Sequence, residues 1–306
     1  MTDFQLYKKR NFSDFINDSI LFFKVYGKDY FRNYMTISGI LLLVMCGLYY
    51  FTFKDLFESV GNPSAMSNWF LSDGNILTFA ILIIATIIVG VALSVLSVGQ
   101  PIIYTKLIEK TGRNEFTSSE LVSLIMDKAG RMIFFGFITL ILFMPLIAIF
   151  LVIAVALSFL LIGIPILILG LPAIMVWHMQ AFIVYLNEDA GYFESLKKGW
   201  KILFSNFWHI VGSTIVVYIL VSIIQSAVSL IPYLSMMSSI ITSGGQLQPT
   251  QLPPYMVLIY VISMVLGLVL LNIFYIQQTL VYYSAQESLG HIQAFSEIDN
   301  IGNNEA

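Results

Sequence analysis

The chain reads as an all-α integral membrane protein: six transmembrane helices arranged as three hairpins, each preceded by an amphipathic interfacial helix. Three observations predict this class. Hydrophobic residues make up 58% of the 306 positions and charged residues 11%, whereas soluble domains average roughly 45–50% apolar and 25% charged. Long uncharged runs dominate the chain, and the mean hydropathy is +0.85. The basic residues, finally, gather between alternate pairs of runs.

The runs cover 35–53, 74–105, 132–187 and 202–286. About 20 apolar residues cross roughly 30 Å of hydrocarbon, so the third run, 56 residues long, holds two spans, with Ser158, Gly163 and Pro165 available for the turn. In the fourth run the stretch "PYLSMMSSIITSGGQLQPTQLPP" (232–254) has loop chemistry and divides it in two. The predicted spans lie near 35–53, 76–104, 132–156, 162–187, 208–231 and 255–283. Residues 1–34 are then a cytoplasmic amphipathic segment, 35–283 one membrane domain, and 284–306 a cytoplasmic polar tail.

Six basic residues precede the first span, five lie between spans two and three, and three between spans four and five; only Lys54 falls on the other side. The positive-inside rule therefore places both termini in the cytoplasm, and this chain in the cytoplasmic (inner) membrane. The same partition requires an even number of spans within 132–187. No cleavable signal peptide is expected, because the first apolar run starts late and ends in "LYYFTF". Met45 before Cys46 spoils the likeness to a lipoprotein cleavage site, and a lone cysteine forms no internal disulfide. A net charge of −3 does not suit nucleic acid.

The segment "LKKGWKILFSNFWHIVG" (196–212) leads into span five. At helical periodicity Tyr192, Leu196, Trp200, Leu203, Phe204 and Phe207 share one face, while Glu194, Lys197, Lys198, Lys201 and Ser205 lie opposite, with Ile202 as the exception. With Trp208 beside it, such a helix suits the bilayer interface. Residues 12–32 repeat the design: Phe12, Phe15, Ile16, Phe22, Phe23, Tyr26 and Tyr30 face Asp14, Asp18, Lys24, Lys28 and Arg32. A shift of 177 positions pairs Phe23 with Trp200, Lys24 with Lys201, Asp29 with Asn206 and Arg32 with His209. A third copy is "FTSSELVSLIMDKAGRMI" (116–133), with Thr117 and Glu120 as a capping box and Leu121, Leu124, Ile125 and Met132 on its apolar face. Three parallel repeats about an axis along the membrane normal follow.

The run "LPAIMVWHMQAFIVYLNEDAGYFESLKKGWKILFSNFWHIVG" and the tail "YYSAQESLGHIQAFSEID" resemble a bacterial six-helix membrane family. It comprises the membrane domain of some glycerophosphoryl diester phosphodiesterases and its stand-alone relatives. The resemblance rests on Glu188, Leu196, Trp200, Asn206, Phe207, Trp208, Tyr282, Tyr283 and Glu287. It implies a fold and a membrane location; the phosphodiesterase chemistry belongs to a soluble barrel that the present sequence does not contain, so no activity is implied.

No Asp, Glu, Lys or Arg falls within the predicted spans, which argues against a proton relay or an ion-coupled carboxylate site. The intramembrane polar candidates are His178, Gln180, Gln225, Asn272, Gln277 and Gln278, expected to bond between helices at roughly 0.6–2 kcal/mol each. Three scattered histidines, His178, His209 and His291, are too few for a di-iron or iron-oxygenase centre. No cofactor and no metal site is expected, nor a catalytic nucleophile, since the span of Cys46 carries neither His nor carboxylate. The expected partners are the lipid bilayer and other membrane or cytoplasmic proteins. Two function classes remain: a non-catalytic scaffold or assembly partner, and a transporter or lipid-handling protein with a site among spans four to six. Pro145, Pro165, Pro172 and His178 favour the latter; the small-residue stretch "GVALSVLSVG" (90–99) suits either.

Overall fold

The structure is a computed structural model that describes residues 4–59, 73–113, 115–242 and 254–289. Among these every regular element is helical. The helices are α1 (Phe12–Ser59), α2 (Asp73–Thr111), α3 (Ser118–Ile138), a π-turn (Thr139–Phe143), α4 (Met144–Ser158), α5 (Gly163–Asn187), α6 (Tyr192–Ser205), α7 (Phe207–Thr242) and α8 (Pro254–Ser288). Six stretches are long and apolar enough to cross a membrane: Phe12–Lys54, Asn75–Thr111, Ser118–Ser158, Gly163–Asn187, Phe207–Ile231 and Tyr255–Ser288.

Helix ends follow local chemistry. At the start of α1 the Asn11 side chain accepts the Asp14 amide (3.0 Å) while the Asp14 carboxylate accepts the Asn11 amide (3.1 Å), a reciprocal cap. At α3 only half of the expected box is among the described bonds: Thr117 Oγ1 accepts the Glu120 amide at 3.3 Å, and the Glu120 carboxylate takes Arg113 instead. The π-turn lies directly before Pro145, whose ring would crowd the carbonyl four residues earlier and which has no N–H to donate to it. Widening the helix there, with the Met144 amide reaching back to Thr139 O, absorbs the proline.

Three boundaries differ from expectation. Residues 12–34 and the first span form one unbroken helix, with no proline between them. The third amphipathic segment likewise runs on through the π-turn into α4. Only α6 is separate, ended by Asn206 at φ −155° and ψ 56°. The stretch assigned to a loop at 232–254 begins as helix, with α7 continuing to Thr242; residues 60–72 and 243–253 lie outside the described residues.

Two compact units make up the chain, where the sequence suggested one membrane domain. The first contains Met1–Tyr34, Val98–Tyr218 and Ile273–Ala306; the second contains Met35–Ser97 and Ile219–Asn272. The first unit's core is aromatic: Phe15, Phe22, Tyr30, Tyr104, Phe135 and Tyr283 are each at most 1% exposed. Phe22, Tyr30 and Tyr104 meet edge to face at 5.2 to 6.0 Å between centroids. In the second unit Phe53 meets Tyr260 edge to face at 5.6 Å, and Ser229 and Ser263 share a 2.5 Å hydrogen bond.

Candidate functional site

The C-terminal parts of α2, α5 and α8 carry one pattern. A glutamine is followed nine residues later by an acid: Gln100 and Glu109, Gln180 and Asp189, Gln278 and Glu287, with Tyr104, Tyr185 and Tyr283 four or five residues after the glutamine. At about 100° per residue a position nine residues on stands on the opposite side of the helix from the glutamine, four or five residues beyond the tyrosine. All three glutamines are fully buried.

These residues tie the helices together pairwise within the first unit. The Tyr283 hydroxyl donates to Glu109 Oε2 at 3.0 Å, joining α8 to α2. Tyr282 donates to Glu188 Oε1 at 3.1 Å, joining α8 to the end of α5. Lys106 Nζ donates to Asn187 O at 2.9 Å and closes the triangle between α2 and α5. Deeper, Gln180 Nε2 donates to Gln278 O (2.9 Å) and Oε1 (3.1 Å), Gln278 donates to Thr214, and Gln277 to Ser213. Gln100 reaches the Tyr30 carbonyl on α1 at 3.0 Å.

The end of α5 is a concentration of negative carbonyl dipoles, which favours cations. Lys128 takes Leu186 O, Arg131 takes Tyr185 O and Ala190 O, and Lys106 takes Asn187 O. Arg131 also lies over the Tyr185 ring, 4.2 Å from its centroid. Asp189, in the left-handed region at φ 53°, leaves the helix and accepts Lys128 at 3.0 Å. That hydrogen bond holds its carboxyl below the usual carboxylate range.

Residues 4–11 join this end. Tyr7 donates to Glu109 Oε1 at 2.5 Å and packs edge to face on Tyr283; burial, and then Glu109, push its phenol well above the ordinary value. Arg10, fully buried, binds Asp18 Oδ2 at 2.9 Å and the carbonyls of Gln5, Leu6 and Lys8. Beside Tyr7 opens a cleft of about 420 Å³, lined by Glu188, Lys198, Lys201, Ile202, Tyr282, Gln286 and Leu289. Lys198 binds Glu188 (2.7 Å) and Glu194 (3.0 Å), which raise its pKa, and it in turn lowers that of Glu194.

A second polar knot fixes the start of α3. Asp29 is buried on α1, where it accepts Tyr104 Oη (2.9 Å), Asn33 Nδ2 (3.1 Å), the Phe116 amide (3.2 Å) and Arg32. The aligned position Asn206 makes the same i,i+3 contact, to His209.

The intramembrane candidates do not converge on one point. Gln180, Gln277 and Gln278 meet; His178 is stacked between Phe135 and Phe143, at 5.2 and 4.9 Å, with Nδ1 buried and unpartnered. In the second unit, Gln225 O accepts Ser229 and Ser263, and Asn272 donates to Val269 O on its own helix. The helix α6 has three sectors instead of two. Tyr192, Ser195, Gly199, Ile202 and Leu203 are buried in the protein; Phe193, Trp200 and Phe204 are exposed, as is Trp208 beyond its end; Glu194, Lys197 and Lys201 face a third way. Ile202, the exception on a two-faced wheel, belongs to the protein-facing sector. The sector exists because Gly199 lets α6 approach α5 closely: a Cβ there would stand 2.7 Å from the Ala181 nitrogen and 2.9 Å from Trp177 O. On α1 the apolar face is likewise packed into protein, with Phe15, Phe22, Tyr26 and Tyr30 buried, and Asp18 and Asp29 are buried beside it.

Six spans of this length and apolarity define a multi-pass membrane protein. Beyond that class the comparisons are silent: no family model, no curated protein and no solved structure matches this chain.

Proposed function

We propose that the protein is a non-catalytic scaffold or assembly partner of the bacterial cytoplasmic membrane, with both termini inside. One observation carries this reading. The buried glutamines and tyrosines of α2, α5 and α8 donate hydrogen bonds to neighbouring helices, which helps to hold a membrane bundle together. Meanwhile α6 offers an exposed aromatic sector beside a charged one, at the height a neighbouring protein in the interface would meet. The resemblance to the membrane domain of glycerophosphoryl diester phosphodiesterases and its stand-alone relatives supports the same reading.

A second reading, a lipid-handling protein or transporter, is favoured by the cleft and by Lys201 at its edge. Photo-crosslinking residues placed at Phe193 and Phe204 in native membranes separate the two. The scaffold reading expects a discrete protein adduct at both positions. Adducts to lipid alone, with a small molecule that copurifies with the parent and is lost in Lys201→Ala, would replace it with the second reading.

A further inference from the structure

The connection between α4 and α5 is four residues long, Phe159-Leu160-Leu161-Ile162, and consists wholly of large apolar side chains that are 89, 66, 73 and 58% exposed. Neighbouring Val152, Val155, Ile164 and Ile168 are exposed too, and no charged residue occurs between Arg131 and Glu188. In water such a tip is unfavourable, since each exposed side chain of this size forgoes the free energy gained by leaving water.

The α4 side of the turn also has its backbone satisfied from within. The Phe159, Leu160 and Leu161 amides donate to Ala156, Leu157 and Ser158 carbonyls at 3.4, 3.0 and 3.0 Å, so three of the last four carbonyls of α4 are occupied. The Ser158 hydroxyl, a polar group at the turn, donates to Ala154 O at 2.9 Å. Pro165, in the first turn of α5, removes one amide that would otherwise lack an acceptor. The turn is as tight as a chain allows: a Cβ on Gly163 would lie 2.0 Å from Ala154 O. Leu161 accepts φ 61° to complete it. Internal satisfaction of the backbone is the condition for irregular structure at hydrocarbon depth.

We propose that this tip is a lipid-embedded wedge: Phe159 to Ile162 sit among the acyl chains of the leaflet remote from the basic residues, and the α4–α5 connection never reaches water. The lipid-facing surfaces of α4 and α5 continue into it without a polar break. The two other connections that the sequence reading places on this side, "GNPSAMSNWFLSD" and "SGGQLQPTQLPP", have instead the composition of water-exposed loops.

The test uses the full chain, with Cys46→Ser and one new cysteine carrying a nitroxide, purified and placed in lipid nanodiscs, where both faces are open to solutes. Power saturation with oxygen and with a water-soluble nickel chelate reads depth. A label at Leu160, and independently one at Phe159, is expected to show high oxygen and low nickel accessibility, like a label at lipid-facing Ile149 and unlike one at Arg113. Nickel accessibility at 160 equal to that at 113 puts the tip in water and overturns the proposal. Low accessibility to both reagents also overturns it, because a second copy or another protein would then cover the tip. The inference rests on the multi-pass reading; were that reading wrong, the label at Ile149 would itself be open to nickel, so the two failures are told apart.

Discussion

Arg10 shows how one residue shapes this protein. A guanidinium presents five donors in a fixed fork, and here they reach one carboxylate and three carbonyls of its own segment, while the Arg10 amide donates to Ser284 Oγ at 3.0 Å. The segment 4–11 is thereby wrapped around its own charge and held against α8. Arg10→Met leaves Asp18 with Lys8 as its remaining ion-pair partner and three carbonyls short of a donor, so a loss of about 3 kcal/mol in unfolding free energy is expected. Arg10→Lys should recover only part of it, because an ammonium cannot span the same set. Thermal unfolding in detergent checks both; a methionine variant as stable as the parent would remove Arg10 from this role. Asp189 gives a pH prediction. Its folded pKa is lowered, so its contribution is fully present above the unfolded value near 3.9 and is lost as pH falls through the folded value. Its carboxylate is largely exposed, which limits the effect to under about 1 kcal/mol. Asp189→Asn, tolerated in the left-handed region, should therefore reduce the fall in melting temperature between pH 6 and 3 while changing little else.

Among the elements, α6 separates what sequence could show from what it could not. Its aromatic and lysine sectors were legible as a 3.6-residue pattern, and Trp200 and Trp208 are indeed exposed. The third sector was not legible, since Ser195 and Gly199 look neutral on a wheel until α5 is packed against them. The same limit applies to α1: Asp18 reads as a charge opposite the apolar face because Arg10, which buries it, lies before the helix, and nothing marks Asp29 as buried because Tyr104 and the Phe116 amide are remote in sequence. The glutamine–acid spacing of nine on α2, α5 and α8 was present in the sequence, but "QPIIYTKLIE", "QAFIVYLNED" and "QTLVYYSAQE" align only once their helices are known to be equivalent. The Pro/Ser-rich stretch after Ile231 misled because proline is tolerated inside membrane helices. Two variants separate the sectors. Gly199→Val forces α6 off the α5 backbone and should cost about 1–3 kcal/mol. Replacing Phe193 and Trp200 together by Ser should leave unfolding in detergent nearly unchanged and weaken anchoring to the bilayer, seen as a red shift of the remaining tryptophan emission in liposomes. If the double variant unfolds as readily as Gly199→Val, the exposed sector is holding protein rather than lipid.

At the scale of the whole molecule, charge and packing divide the chain in the same way. Fourteen of the 15 basic residues fall within the ranges of the first compact unit and one, Lys54, in the second. Moving lysine or arginine through the bilayer centre costs about 2.5–3.5 kcal/mol each on insertion scales, so the unit that holds fourteen is expected to stay on the side of synthesis. There its cations also have internal work: Lys106, Lys128 and Arg131 cap α5, and Arg10 and Lys198 pair with carboxylates. Reversing the orientation would therefore oppose the insertion energetics. Six spans with both ends inside are therefore the expectation, and reporter fusions test it. Fusions after Arg113, Glu194 and Ala306 should report the cytoplasm, and fusions after Pro63 and Thr250 the opposite side. A cytoplasmic signal at Thr250 would mean that α7 and α8 do not both cross, and the threefold reading of the Gln–Tyr–acid pattern would fail with it. An external signal at Arg113 alone would instead mean that α2 does not cross and that five basic residues are translocated, against the charge bias.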